Sequence, residues 1–446
     1  MAPRTDLSFC LSLLEKVLPE QLPSLTQDLP AQLIAQALQS TGHATIRRRR
    51  LPAEQVVWLV LCMALFRRLS IVNIVDQLGL ALPTSRRPVV AAAVHQARAR
   101  LGKEPLVWLF EQTASTWALR SAKEHDFHGL SLFAVDGTTL RVADSPENRA
   151  HFGGTDTHRG PSGYPLLRLV ALMAVRSHLL AAAAFGPYGT HELGYADSLW
   201  PKLPSRSLVI LDRGYFAAWV FHQLQTSGGE RHFVIRLRKD FKARVVKSLG
   251  RGDDLVEIRV SKAARRQHPE LPETMLFRRL LYQRKGFRPQ ALLTSLLDDK
   301  TYPATDVIEV YHERWEIELG YDELKTELLE QRESLRSKSV SAVEQEAWGV
   351  LLAYNLVRQE MVRIGKLCNV APYRLSFAGM LTMMWQLWQM MSLRAGGTIV
   401  NLMASWDAQM QRLLLPKRRP RSYPRAVKIK MSNYDRKRPI SDGKRA

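Results

Sequence analysis

"YHERWEIELGYDELKTELL", residues Tyr311 to Leu329, reads as one helix with an unusual inward face. At about 100° per residue, Tyr311, Arg314, Glu318 and Lys325 share an arc of about 60°. Ile317, Tyr321, Leu324 and Leu328 flank that arc on one side, Trp315 and Leu319 on the other. Glu313, Glu316, Glu323 and Glu327 cluster opposite, which predicts an acidic face toward solvent and a Tyr-Arg-Glu-Lys row aimed at the protein body. A covered carboxylate is costly unless it is paired or metal-bound, so the row calls for partners elsewhere in the chain.

Two candidates lie upstream. "LSLFAVDGTTLRV" (Leu130–Val142) is an apolar run ending in Asp136-Gly137, and "SLVILDRGYF" (Ser207–Phe216) is another ending in Asp212. Continuous apolar strands are buried on both faces of a sheet, and a polar residue at the end of such a strand sits at the rim where α/β proteins build their sites. Any one Asp-Gly is more often a turn than a site. Three carboxylates (Asp136, Asp212 and Glu318) converging with the row need a divalent cation to offset their repulsion, and hard oxygen ligands without a Cys or His pattern suit Mg²⁺ or Mn²⁺. Two such ions would serve phosphoryl transfer. Arg314 and Lys325 would then grip phosphates, and Tyr311 would donate to a phosphate oxygen or pack on a sugar. Asp322, near the same face, is the second choice for the helical ligand.

These residues resemble a known set. The chain is similar to the DDE transposases of bacterial insertion sequences, in the insertion-sequence-four family: "VDGT" at Asp136, "LDRGYF" at Asp212, and Tyr-x2-Arg-x3-Glu-x6-Lys at Tyr311, Arg314, Glu318 and Lys325. The likeness covers about residues 125–360 and is looser before them. It implies an α/β, ribonuclease-H-like catalytic core over 126–365 with a β-rich insertion at about 231–298. An all-helical DNA-binding domain would precede it over 1–125, with helices and a basic tail following over 366–446. It implies Asp136, Asp212 and Glu318 as catalytic metal ligands, and Tyr311, Arg314, Lys325 and Arg213 on DNA. The substrates implied are terminal inverted repeats and target DNA, held by a homodimer in a synaptic complex in the bacterial cytoplasm, on the nucleoid. Some relatives cut through a DNA hairpin and hold a flipped base on a tryptophan of the insertion. The stretch from Arg231 to Arg288 contains none, which leaves Phe241, Tyr282 or Phe287 for such a role.

The rest of the chain agrees with a nucleic-acid enzyme. A net charge of +22 and a pI near 10.1 point to a polyanionic partner. The stretch 231–288 carries 17 Lys and Arg against 6 Asp and Glu, with aromatics interleaved, and the terminal 416–446 carries 12 basic against 2 acidic residues and four prolines. The first suits a basic groove, the second an extended arm on phosphate. In the helical first 125 residues, the arginines at helix ends, Arg98 and Arg100 among them, suit either a helix-turn-helix-like reader of DNA or a scaffold with a solvated basic face. Ser70 and Ser85 are candidate caps there. Cys10, Cys62 and Cys368 make no CxxC pair, which predicts a reduced setting without a cysteine metal site. "VVWLVLCMALF" (Val56–Phe66) is too short to span a bilayer, so no membrane role is expected. "HELGY" at His191 lacks the second histidine of a zinc-protease helix, and no Gly-rich phosphate loop indicates a nucleotide cofactor. Two rival readings stay open: a metal-dependent nuclease on the same fold that only hydrolyses, and a domesticated DNA-binding protein that no longer cuts.

Overall fold

The structure is a computed structural model and describes residues 28–44, 51–77, 89–157, 160–161, 163–238, 241–284, 288–330, 334–391 and 413–416. Its centre is a ten-stranded mixed sheet. The strands are β1 (Ser131–Val142), β2 (Leu166–Ala174), β3 (Leu180–Pro187), β4 (Ser207–Leu211), β5 (Arg231–Arg236), β6 (Arg244–Gly250), β7 (Asp253–Arg259), β8 (Thr274–Tyr282), β9 (Gln290–Thr294) and a two-residue β10 (Ser334–Leu335). In space they run β3-β2-β1-β4-β5-β9-β8-β7-β6, with β10 added beside the far end of β1. β1, β2 and β3 form an antiparallel meander, while β4 and β5 join in parallel to β1. That order and those directions are the ribonuclease-H-like arrangement. The insertion extends the same sheet by four antiparallel strands, continuing from β5 through β9. β4 is buried along its whole length, as its unbroken apolar run requires.

Helices cover both faces. The N-terminal helices are α1 (Ala31–Ser40), α2 (Ala53–Leu65), α3 (Ile71–Gln77), α4 (Ala91–Leu101) and α5 (Glu104–Glu124). They are followed by α6 (Pro146–Phe152), α7 (Glu192–Ala196), α8 (Ala218–Thr226) and α9 (Lys262–Gln267). Then come α10 (Ala304–His312), α11 (Trp315–Asp322), a π-helical turn (Glu323–Leu328), α12 (Val340–Leu367) and α13 (Phe377–Met391). α12 is the hub: α2, α5 and α13 all pack on it, and α5 also lies against β3. One apolar core therefore runs from Leu29 through the sheet to Met383.

The arginines of the N-terminal helices serve this packing. Arg98 is buried and donates to Gln345 (2.9 Å), to Ser337 (3.0 Å) and to the Ala342 carbonyl (3.1 Å). Arg67 is 3.0 Å from Glu346, which also accepts from the Arg336 and Ser337 amides at 2.9 Å. Arg98 is thus a staple onto α12 and not a DNA reader. Ser70 does cap α3, accepting the Asn73 amide at 3.1 Å. α4 starts at Ala91 with Val90 as its cap residue. Ser85 lies outside the described residues, as do Cys10, Phe287 and the basic arm 417–446.

The segment Tyr311–Leu329 is not one helix. α10 ends at His312, a tight turn of i→i−3 bonds (Glu313 to Val310, Arg314 to Tyr311) intervenes, and α11 begins at Trp315. No proline or glycine marks this break. It coincides with a bidentate ion pair from Arg176 to Glu313 (2.8 and 2.7 Å). The Leu329 amide then reaches back five residues to the Leu324 carbonyl (3.1 Å), closing the π turn.

Candidate active site

The register of β1 against β4 decides what meets. Val135 pairs with Leu211, so the next residues on these parallel neighbours, Asp136 and Asp212, emerge side by side. Strands lie about 4.8 Å apart, close enough for two carboxylates to share one cation. Contrary to the expectation from its apolar run, β1 does not end at Asp136. It continues to Val142, because β2 keeps pairing with it from Ala171 to Leu166. Only β4 stops, and Asp212 leads directly into a short 3-10 turn.

Burial, with Asp212 and Glu192 close by, pushes the Asp136 carboxyl up to about 6, against the pull of the Gly137 amide (2.8 Å) and of Arg314. Tyr321 pins α11 to this spot: its hydroxyl donates to the Asp136 carbonyl at 2.6 Å and accepts the Ala171 amide at 3.1 Å. Tyr321 lies three residues after Glu318, so the bond fixes where that carboxylate hangs. Glu318 accepts from Arg314 at 2.7 Å. Burial disfavours the Arg314 charge, but Glu318, Tyr311 and Asp212 outweigh it and raise its pKa. Burial pushes the Tyr311 phenol up to about 12, with Arg314 opposing and Asp212 adding. Four expected residues (Asp136, Asp212, Arg314 and Tyr311) are thus electrostatically coupled, and Glu318 joins them through Arg314.

Other expectations fare differently. Lys325 is half-buried on the π turn, so its phase relative to Glu318 is not the α-helical one. Asp322 is exposed and accepts from Thr326 at 2.7 Å. Arg213 is exposed just beyond Asp212. Phe241 packs on Phe216 with ring centroids 5.0 Å apart, and Tyr282 meets His312 edge-on at 5.7 Å. The acidic face does not look to solvent. Glu313 pairs with Arg176, Glu316 with His178, and Glu323 with Arg358. Trp315, expected as an apolar shoulder, is instead 37% exposed. Both differences go together: Arg176, His178 and Arg358, on the β2–β3 turn and α12, donate to the acids from the protein side, and the helix is turned with them.

Three further residues belong to the site. Glu192, at the start of α7, fills the space over Gly137, where a Cβ would come within 2.4 Å of the Glu192 Cδ. It pairs with Arg168 at 3.4 Å. The glycine of "VDGT" is therefore what lets a fourth carboxylate approach Asp136. Arg236 follows Ile235, the partner of Leu211, and so flanks Asp212 on its other side. Its field is felt at His312, whose imidazole burial lowers to about 4 with help from Arg284 and Arg236. Tyr321 completes the trio. Sequence spacing could have signalled only Arg236, as the charged residue ending an apolar strand.

Whether these groups suit a divalent cation can be tested on their own chemistry. Among the described residues, no three His, Cys, Asp or Glu side chains are close enough to hold one ion together, and Glu318 is turned to Arg314. The two aspartates nevertheless fit. They are adjacent hard oxygen donors, and Asp136 is desolvated and raised in pKa in part by Asp212, an effect that a cation would reverse.

Family comparisons agree along nearly the whole chain. Residues 19–111 match the model described as insertion element 4 transposase N-terminal, and residues 127–356 match the transposase DDE domain. The transposase InsG for insertion sequence element IS4 of Escherichia coli is 39% identical over 415 residues, 93% of each chain. The putative transposase InsZ of the same organism is 33% identical over 231 residues, 51% of this chain and 76% of that one. A solved piggyBac transposase synaptic complex with hairpin DNA aligns at a TM-score of 0.43 and 10% identity, over 90% of this chain and 86% of that one.

Proposed function

The chain belongs to the insertion element 4 family of DDE transposases, and from that premise we propose that Asp136, Asp212 and Glu318 perform its divalent-metal-dependent DNA chemistry at the element's terminal inverted repeats. It is a DNA transposase, and DDE chemistry depends on divalent metal. The observation that carries the assignment of residues is the β1–β4 register, which sets Asp136 beside Asp212, together with the Tyr321 bond that ties the Glu318 helix to the Asp136 carbonyl.

Asp136 and Asp212 would hold the cation, Mg²⁺ or Mn²⁺ and two ions in this reading, with Glu318 joining when Arg314 turns to phosphate. When bound, the metal supplies activation of the attacking oxygen and stabilisation of the leaving one. The protein's own groups do the rest. Arg314, Arg236 and Lys325 bind and orient the phosphate chain, Tyr311 packs at the scissile nucleotide, and Arg213 contacts DNA at the rim. The first step frees a 3′-hydroxyl by hydrolysis. The second lets that hydroxyl attack target DNA, one phosphodiester replacing another, so no external energy is needed. The helical residues to about 125 and the insertion of about 231–298 hold the ends, two copies of the chain pair them, and the work is done on the nucleoid in the cytoplasm. Among the described residues, no helix is long and apolar enough to cross a membrane.

A donor plasmid carrying the two DNA ends that flank the gene, mixed with protein, Mg²⁺ and a target plasmid, tests this. Nicking at both ends followed by joining to the target is expected. Cutting without joining would favour the hydrolytic nuclease, and binding without cutting the domesticated protein.

A further inference from the structure

Behind the carboxylate site, a fully buried arginine grips the same helical segment from its other face. Arg358 of α12 is 0% exposed and forms an ion pair with Glu323, the first residue of the π turn. Its Nη2 also lies 2.6 Å from His178 Nδ1. Arginine can only donate, so Nδ1 accepts and the imidazole proton sits on Nε2, which donates to Glu316 at 3.0 Å. The 3.2 Å approach of Nδ1 to Glu323 is then a contact without a shared proton. The Tyr354 hydroxyl donates to Glu323 at 3.0 Å. Burial alone would raise the Glu323 carboxyl, but the Arg358 guanidinium outweighs it and holds it down at about 2.

Stability is a poor explanation for this cluster. Buried ion pairs are often matched or bettered by apolar residues of similar size. Here the Arg358 Nε and Nη1 find no acceptor among the described residues, and the Phe377 ring faces the guanidinium at 5.4 Å. What the cluster does achieve is geometric. Glu316 and Glu323 straddle Glu318 and are tied to one anchor, so the helix cannot rotate without breaking both. His178 sits between β2 and β3 with a left-handed φ of 60°, and β2 is the strand that pairs Ala171 with Asp136. One rigid unit therefore carries Asp136 on one side and the back of the Glu318 segment on the other. π turns are rare and concentrate at functional sites.

We infer that Glu323, Arg358 and His178 are positioning residues that lock the rotation of segment 315–328, so that Glu318 and Lys325 face Asp136 and Asp212. This inference rests on Glu318 being the third carboxylate. The test compares three purified variants: Glu318→Gln, Glu323→Gln/Arg358→Met, and Tyr354→Phe. Each is measured for melting temperature, affinity for end DNA, single-turnover nicking in Mg²⁺, and amide hydrogen exchange over residues 315–329. The double variant removes both charges and strands neither. We expect it to melt and bind DNA like the parent, to exchange faster over that segment, and to nick about 10–100-fold more slowly, as when the support of a metal ligand is lost. Tyr354→Phe should show the same direction, smaller, and covers the case in which the double variant does not fold. Parent-like nicking by the folded double variant, or by Tyr354→Phe with unchanged exchange should the double not fold, would overturn the inference. If Glu318→Gln also nicked normally, the assignment of Glu318 itself would be at fault.

Discussion

Neutralising Asp136 should make the metal-free protein more stable, not less. Burial lifts its carboxyl from 3.8 to about 6, with Asp212 and Glu192 adding. Below about pH 4 the group is neutral folded or unfolded, so nothing is lost. Between about 4 and 6 only the unfolded chain gives up its proton, and above about 6 the folded state carries the whole penalty. Two pK units amount to about 3 kcal/mol at 1.36 kcal/mol each. Spread over 446 residues at about 2 cal/mol/K of unfolding entropy per residue, that is about 3 °C. Asp136→Asn keeps the shape and can still accept the Gly137 amide. In EDTA at pH 8 it should melt about 3 °C above the parent, and at pH 4 the two should coincide. Mg²⁺ should raise the parent alone and narrow the gap. An Asn variant no more stable than the parent at pH 8, or offset equally at every pH, would refute the reasoning.

Gly137→Ala puts a Cβ where Glu192 now lies; because Glu192 is 41% exposed it can swing away, so the melting temperature should hold within about a degree while nicking falls severalfold. Normal nicking would remove Glu192 from the site. Glu346→Ala leaves Arg67 buried and unpaired and should cost about 3–5 kcal/mol in urea unfolding, with a loss below about 1 kcal/mol counting against the stapled N-terminal helices. Deleting residues 417–446 should flatten the dependence of end-DNA affinity on salt, by about 0.9 in logarithmic slope for each phosphate that the arm neutralises. An unchanged slope would show that the arm does not touch DNA.

What could be read in the sequence was what depends on strand chemistry and short spacing. The apolar runs before Asp136 and Asp212 had to be central strands, and parallel pairing then brought the aspartates together. Of the row, Tyr311 is buried and Arg314 reaches Glu318, but the break at Glu313 and the π turn take Lys325 out of the phase that a single helix predicts. What could not be read was set by distant charges. Nothing local in "YHERWEIELGYDELKTELL" says that Arg176, His178 and Arg358 wait for Glu313, Glu316 and Glu323, so local spacing predicts a straight helix with its acids in water. Likewise the sequence leaves Arg98 open between a DNA contact and a solvated basic face, because its acceptors, Gln345, Ser337 and Ala342, are some 240 positions along the chain. Glu192 sat in a stretch recognisable only as a failed zinc motif, and its place over Gly137 is a product of the fold.

The measurement that bears most directly on the central claim is Mg²⁺-dependent nicking of end DNA by Asp136→Ala, Asp212→Ala and Glu318→Ala, each with its binding to the same DNA measured alongside. All three should bind within a few-fold of the parent and none should nick. A variant that nicks at close to the parent's rate would show that its carboxylate is not part of the catalytic set.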